Sequence, residues 1–213
     1  LEDNVTLEFR DSKGHVLNSY GTQSNDKQPQ ITIKKGINRF VWDMRYPDAR
    51  SLDIEGAREK GLRGPIGSPG TYEVRLIIGE EVHSQSFEIK KDPRVEASQV
   101  DLDAQHSMMM EIRDKLSECH EAINTIIRLR NQLNEWNLRC KAHGAPGSVS
   151  EEADKLNRKL SAIESELIQL KATGNIDLIS QPHGLNAKLA ELTFVPSFSD
   201  SRPTLQSRNV FTD

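Results

Sequence analysis

Between Ser98 and Lys141 the apolar positions recur at helical spacing: Leu102, Met109, Ile112, Leu116, Cys119, Ile123, Ile126 and Leu133. From Met109 to Ile126 the steps are 3, 4, 3, 4 and 3, a heptad seam that needs facing helices to bury it. Trp136, near the end of this stretch, is expected to cover the seam. A second seam follows at Val149, Ala153, Leu156, Leu160, Ile163, Leu167 and Leu170, with steps of 4, 3, 4, 3, 4 and 3. Ser98 with Asp101, and Ser148 with Glu151, resemble capping boxes at the two helix starts. Gly174 is a suitable C-terminal glycine for the second helix. The short connection from Gly144 to Gly147 predicts an antiparallel helical hairpin. A second helix of about 24 residues covers about 36 Å of a first helix about 66 Å long, so further helices are expected. One spans Gly184 to Thr193, with Leu185, Leu189 and Leu192. Another begins at Ser201-Arg202-Pro203, carries Leu205, Val210 and Phe211, and is expected to be cut off at Asp213, its continuation packing along the first helix.

Residues 1–92 follow a period of two instead. Val5-Thr6-Leu7-Glu8-Phe9-Arg10 alternates apolar and polar as a half-buried strand does. Asp11-Ser12-Lys13-Gly14 is a turn, with Gly14 suited to positive φ, and His15 to Tyr20 returns as the hairpin partner. Gln30 to Lys34 and Arg39 to Met44 read as short strands on either side of a turn at Gly36-Ile37-Asn38. Thr71 to Ile78 and Glu81 to Lys90 form a second hairpin around Gly79-Glu80. About six strands with frequent turns indicate a small antiparallel sandwich. Tyr46 to Gly70 is a long loop holding Gly56, Gly61, Gly64, Gly67 and Gly70. Such loops are often functional or interface segments. The plainer reading is a surface loop packed on its own sheet or on the next domain. Asp92-Pro93 marks the boundary, since proline halts a ladder.

Composition narrows the classes. Net charge is −4 with both signs interspersed, which argues against a nucleic-acid surface. No apolar run approaches the roughly 20 residues of a membrane-spanning helix. A hydrophobic fraction of 35% suits helices with one buried stripe and charged outer faces. Cys119 and Cys140 lie on one predicted helix about 31 Å apart, beyond the reach of about 7 Å that a disulfide spans. Cys119 falls on the seam as a small core residue.

The residues offer no chemistry with the right spacing. His120-Glu121-Ala122-Ile123-Asn124 has Asn where the zinc motif H-E-x-x-H needs its second histidine. His106 and His120 are about 21 Å apart along a helix. C-x-x-C and G-x-S-x-G are absent, and Asp48 and Asp53 lack the calcium-loop spacing. Gly61 to Gly70 precedes a strand, not the helix that a phosphate loop opens. Glu80-Glu81 reads as a turn, and Glu151-Glu152 complements a helix dipole. No catalytic residue, metal ligand or cofactor site is therefore assigned. Ligand or interface candidates are Trp42, Tyr46 and Tyr72, which sugar rings could stack on or which anchor a core, and Met108, Met109 and Met110. The methionines form an adaptable surface or pack a core. Three consecutive helical residues fan over about 200°, so one of them is expected to face outward.

Asn38-Arg39-Phe40-Val41-Trp42-Asp43-Met44-Arg45-Tyr46-Pro47, with Ser68-Pro69-Gly70-Thr71-Tyr72-Glu73-Val74-Arg75-Leu76, Lys91-Asp92-Pro93-Arg94-Val95 and Ile112-Arg113-Asp114-Lys115-Leu116, resembles the C-terminal region of bacterial sortilin-like, Asp-box (BNR-repeat) β-propeller proteins, often labelled glycosyl hydrolases. The resemblance covers nearly the whole chain. The W-D–loop–P-G-T-Y pattern is also similar to Ig-like domains of the fibronectin III or hook-capping type. The resemblance implies an upstream β-propeller on the same polypeptide, which would carry the recognition chemistry, and a secreted or envelope setting. No Asp-box occurs here, so no functional residue carries over. The expected fold class is α+β in two domains: an Ig-like antiparallel β-sandwich at 1–92, a linker at 93–97, and an antiparallel α-helical bundle at 98–213 with a long helical hairpin. The expected function is that of a non-catalytic C-terminal accessory module serving domain packing, assembly or partner interaction. The alternative is a carbohydrate-binding module. Expected partners are the propeller and a protein or glycan, with no nucleic acid and no membrane span.

Overall fold

A computed structural model describes residues 4–23, 30–54, 62–144, 146–170, 183–197 and 199–212. The fold is α+β. Its strands are β1 (Val5–Asp11), β2 (Val16–Gly21), β3 (Gly70–Ile78) and β4 (Glu81–Ile89), and its helices are α1 (Gln99–Ala142), α2 (Gly147–Leu167), α3 (Leu185–Leu192), α4 (Phe194–Ser197) and α5 (Leu205–Thr212). The chain forms two compact units. Unit 1 is Leu1–Asp48, Arg63–Met110 and Ser199–Leu205; unit 2 is Ala49–Leu62, Glu111–Phe198 and Gln206–Asp213.

Unit 1 holds an antiparallel four-stranded sheet in the order β2-β1-β3-β4. The β1–β2 turn is organised by Asp11, whose carboxylate accepts the Lys13 and His15 backbone N–H groups at 2.9 Å each. Gly14 takes φ +84° there, a conformation that a side chain would strain. The period of two sorts the sheet's faces. On one, Glu8 lies opposite Arg75 and Arg10 opposite Glu73, so each charge has an opposite neighbour across the strands. On the other, Phe9, Leu17 and Tyr72 are buried, with Leu7, Tyr20, Trp42, Val74 and Phe87 packed around them.

The expected strands at 30–34 and 39–44 form no ladder; only single bridges, Gly21 to Gln30 and Arg45 to Ile66, occur near them. The reason is local. The Asn38 side chain accepts the Lys34 N–H and donates to the Lys34 carbonyl, both at 2.8 Å, taking the backbone groups that a hairpin ladder would use. Residues 40–42 instead run extended with Phe40 and Trp42 on Phe9, at ring-centroid distances of 5.9 and 4.3 Å. Asn18 of β2 donates to the Arg45 carbonyl at 2.7 Å and ties down the next stretch.

The first turn of α1 carries the expected capping box. Ser98 Oγ accepts the Asp101 N–H at 3.2 Å and donates to the Asp101 carboxylate at 2.6 Å. That bond outweighs the slight burial and holds the Asp101 carboxyl below its ordinary pKa. The second box does not form. Helix α2 starts at Gly147 behind Pro146, with no side-chain cap, so Ser148 lies inside the helix. Nor does α2 reach 174. Ile168 turns to extended backbone (φ −142°, ψ 141°) and is buried beside Leu189; continuing the helix would turn it away from the seam. Gly174 lies outside the described residues. Helix α3 matches expectation. Its approach to the end of α2 depends on Gly184, where a Cβ would sit 2.7 Å from Ile168 Cα. Helix α5 starts at Leu205, two residues past Pro203.

Unit 2 packs Leu116, Cys119 and Ile123 of α1 against Ala49, Ile168 and Leu189, with Leu52, Leu62, Leu167 and Phe211 around them. Polar side chains of α1 and α2 meet at Arg130–Glu164 (2.9 Å), Asn134–Asn157 (3.5 Å) and Asn137–Ser150 (2.7 Å).

The Tyr72 hydroxyl donates to the Ser68 carbonyl at 2.6 Å. Burial, reinforced by Tyr46 and then Asp11, pushes its pKa up from 10.0 to about 12. A folded-state pKa above the unfolded one means that the stability linked to this group is intact below pH 10.0 and is lost as pH climbs towards about 12. Tyr72→Phe should cost about 1 kcal/mol at neutral pH through the lost hydrogen bond. It should also flatten the fall in stability across that alkaline window, as urea midpoints measured at a series of pH values would show.

Candidate functional site

The aromatic candidates occupy the sheet's apolar face. Tyr72 is 6% exposed. Its ring stacks on Phe87 at 5.9 Å, and Trp42 meets the same two rings edge-on at 6.1 and 6.0 Å. Trp42 lies flat on Phe9, with 17° between the ring planes. Its indole Nε1 is buried without a hydrogen-bond partner among the described residues. Tyr46 packs against the same cluster, and its ring also lies on His106 at 4.7 Å, whose Nδ1 is 3.1 Å from the Ile66 carbonyl. The structure therefore brings Trp42 and Tyr72 together edge-on and commits a face of Trp42 to Phe9 and a face of Tyr72 to Phe87.

The methionine run is not an exposed surface. Met108 is buried, and Met109 and Met110 are half-buried. The buried row is Met108, Ile112, Leu116, Cys119, Ile123 and Ile126, with Met108 in the place expected of Met109. The step back from Ile112 is four residues because the stripe follows a helix of 3.6 residues per turn and is wider than a narrow seam.

That width accommodates three polar residues missed by a reading of apolar positions alone. Ser117, His120 and Asn124 project from α1 onto the extended segment 50–53. Ser117 Oγ accepts the Arg50 N–H at 3.0 Å. Asn124 accepts the Asp53 N–H at 2.8 Å and donates to the Ser51 carbonyl at 3.1 Å. His120 Nδ1 is in hydrogen-bond contact with the Arg50 carbonyl; a carbonyl only accepts, so the proton sits on Nδ1. Nε2 is buried and has no partner among the described residues. Outside this contact, Arg50 pairs with Glu121 at 3.2 Å. The signal in the sequence was the position of His120 and Asn124 one residue after Cys119 and Ile123, four apart, on the same side of the helix. These groups fasten a backbone. Among the described residues no three His, Cys, Asp or Glu side chains gather as a metal site would require.

An apolar groove of about 670 Å³ lies in unit 2 and runs between α1 and α2, lined by Leu133, Trp136 and Cys140 on one side and Val149, Ala153 and Leu156 on the other. Trp136 is 63% exposed and does not cover the seam as expected. The Arg139 guanidinium lies 6.0 Å from its ring. Helix α2 has turned its Leu160 and Glu164 edge towards α1, through the Arg130 contact, which leaves Val149, Leu156 and Ile163 half-exposed on the other edge.

No protein-family model matches the chain, and no curated protein or solved structure matches it. No helix among the described residues is long and apolar enough to cross a membrane.

Asn124→Ala would leave the Asp53 N–H and Ser51 carbonyl without their partner and should cost about 1–3 kcal/mol. The urea midpoint should fall with the slope unchanged, and the Asp53 amide should lose its protection in hydrogen exchange.

Proposed function

We propose that this chain is a non-catalytic accessory module of a larger exported protein of the sortilin-like β-propeller kind, serving assembly or partner interaction. In this reading the sheet of unit 1 is the remnant of an Ig-like sandwich. Residues 40–46 stand in for the facing sheet. Helices α1 and α2 are a helical hairpin. What supports the hairpin is the reversed order of the side-chain pairs: 130 with 164, 134 with 157 and 137 with 150. The observation that carries the functional reading is the half-exposed apolar edge of α2 beside Trp136. Polar groups in the interior are spent on fastening the chain's own backbone, while apolar groups are offered to the outside, the arrangement of a surface that binds protein.

Two measurements test this. Incubated with a panel of aryl glycosides, the chain should release no more aglycone than buffer does. Turnover abolished by replacing a single carboxylate would overturn the reading. The coding sequence ahead of Leu1 should encode Asp-box repeats, and a different upstream domain would break the link to propeller proteins.

A further inference from the structure

The edge of α2 that borders the groove carries Val149, Glu152, Leu156 and Lys159, and Ile163 continues it at steps of 3, 4, 3 and 4, which places all five on one stripe of the helix. The apolar members are 46%, 46% and 52% exposed. The stripe has a symmetry that its neighbours lack. Counted outward from Leu156, Val149 is seven residues before and Ile163 seven after, while Glu152 is four before and Lys159 three after. Reversing the helix about Leu156 therefore lays apolar on apolar and acid on base.

We propose that this stripe is a self-association face, on which α2 of a second copy docks antiparallel about a twofold axis at Leu156. Val149 of each copy meets Ile163 of the other. Leu156 meets its equivalent, and two Glu152–Lys159 pairs close the seam. An isologous contact of this kind is the commonest form of oligomer, and two helix pairs joined in this way make a four-helix bundle.

Charge selects the occupant and its direction. Acidic Glu151, Glu152 and Asp154, with Lys155, lie on the N-terminal side of Leu156; basic Arg158 and Lys159 follow it directly, with Glu164 and Glu166 further on. Antiparallel pairing sets Glu152 and Asp154 of one copy against Lys159 and Arg158 of the other, whereas parallel pairing sets each against its like. Lys159 has no ion-pair partner among the described residues. Glu152 holds Lys155 at 2.6 Å, but both side chains are more than half exposed, and an exposed pair of this kind costs little to exchange. The apolar seam spans about 21 Å from Val149 to Ile163. Trp136 borders the groove and extends the contact beyond a single helix.

Sedimentation equilibrium of the 213-residue chain over a concentration series should show a reversible monomer–dimer equilibrium. Glu152→Lys sets base against base across the interface, opposite Lys159 of the second copy, and Lys159→Glu sets acid against acid. Each should raise the dissociation constant at least about tenfold with unchanged far-ultraviolet circular dichroism, since both positions are solvent-facing. An equimolar mixture of the two variants should recover the parent association as a heterodimer, and so should both changes in one chain. A monomer at every concentration, association indifferent to either charge change, or failure of the mixture to recover would overturn the proposal. The proposal rests on the assembly reading. Glycoside turnover would remove that reading and leave these masses standing, whereas a monomer would remove the self-pairing alone.

Discussion

Three polar side chains of α1 do for residues 50–53 what a neighbouring strand would do. Ser117, His120 and Asn124 meet the backbone groups of Arg50, Ser51 and Asp53 one by one. The His120 and Asn124 rungs are partly buried, where an unpaired backbone group costs about 1–3 kcal/mol, while the Ser117 rung is exposed. The contact also fixes the helix about its own axis within unit 2. With those residues facing the strap, Leu116, Cys119 and Ile123 must face the core formed with Ile168 and Leu189. Apolar packing supplies the driving force, and the polar rungs decide which rotation of the helix is satisfied.

Unit 1 solves a related problem with other side chains. A sheet with one apolar face needs a cover, and residues 40–42 provide it through Trp42 stacked on Phe9 and Phe40 tilted against the same ring. Their backbone is not held by a ladder. Asn38 closes the turn before it, and Asn18 anchors Arg45 after it. In both units an extended segment is fixed by asparagine amides, each of which can donate and accept at once. Burying such segments without these amides would leave their backbone groups unpaired.

This arrangement bears on where function resides. The aromatic rings at 42 and 72 are engaged with each other and with Phe9 and Phe87, and the buried histidine is engaged with a carbonyl. On the C-terminal half of α1 and on α2, Trp136, Leu138, Val149, Leu156 and Ile163 are exposed. This organisation supports the proposed role of an interaction module. Its interior holds its shape, and its outer helix face is available to bury area against another helix, which is where association gains its energy.

Much of the local structure was legible along the chain. Both hairpins, the Ser98–Asp101 box, the span of α1 and the place of α3 follow from periodicity, turn residues and capping. These are interactions among residues a few positions apart, so the order of residues contains them. The remainder depended on partners far along the chain. The change from Met109 to Met108, the end of α2 at Leu167, and the missing ladders at 30–34 and 39–44 were each decided by what lies opposite. So were the roles of Ser117, His120 and Asn124, whose partners are about seventy residues away. Sequence alone determined which segments are helical or extended, because backbone preference and hydrophobic period are properties of short stretches. Tertiary structure decided which side of each helix is buried and which polar residue holds which backbone group, because those outcomes depend on surfaces that meet only once the chain has folded.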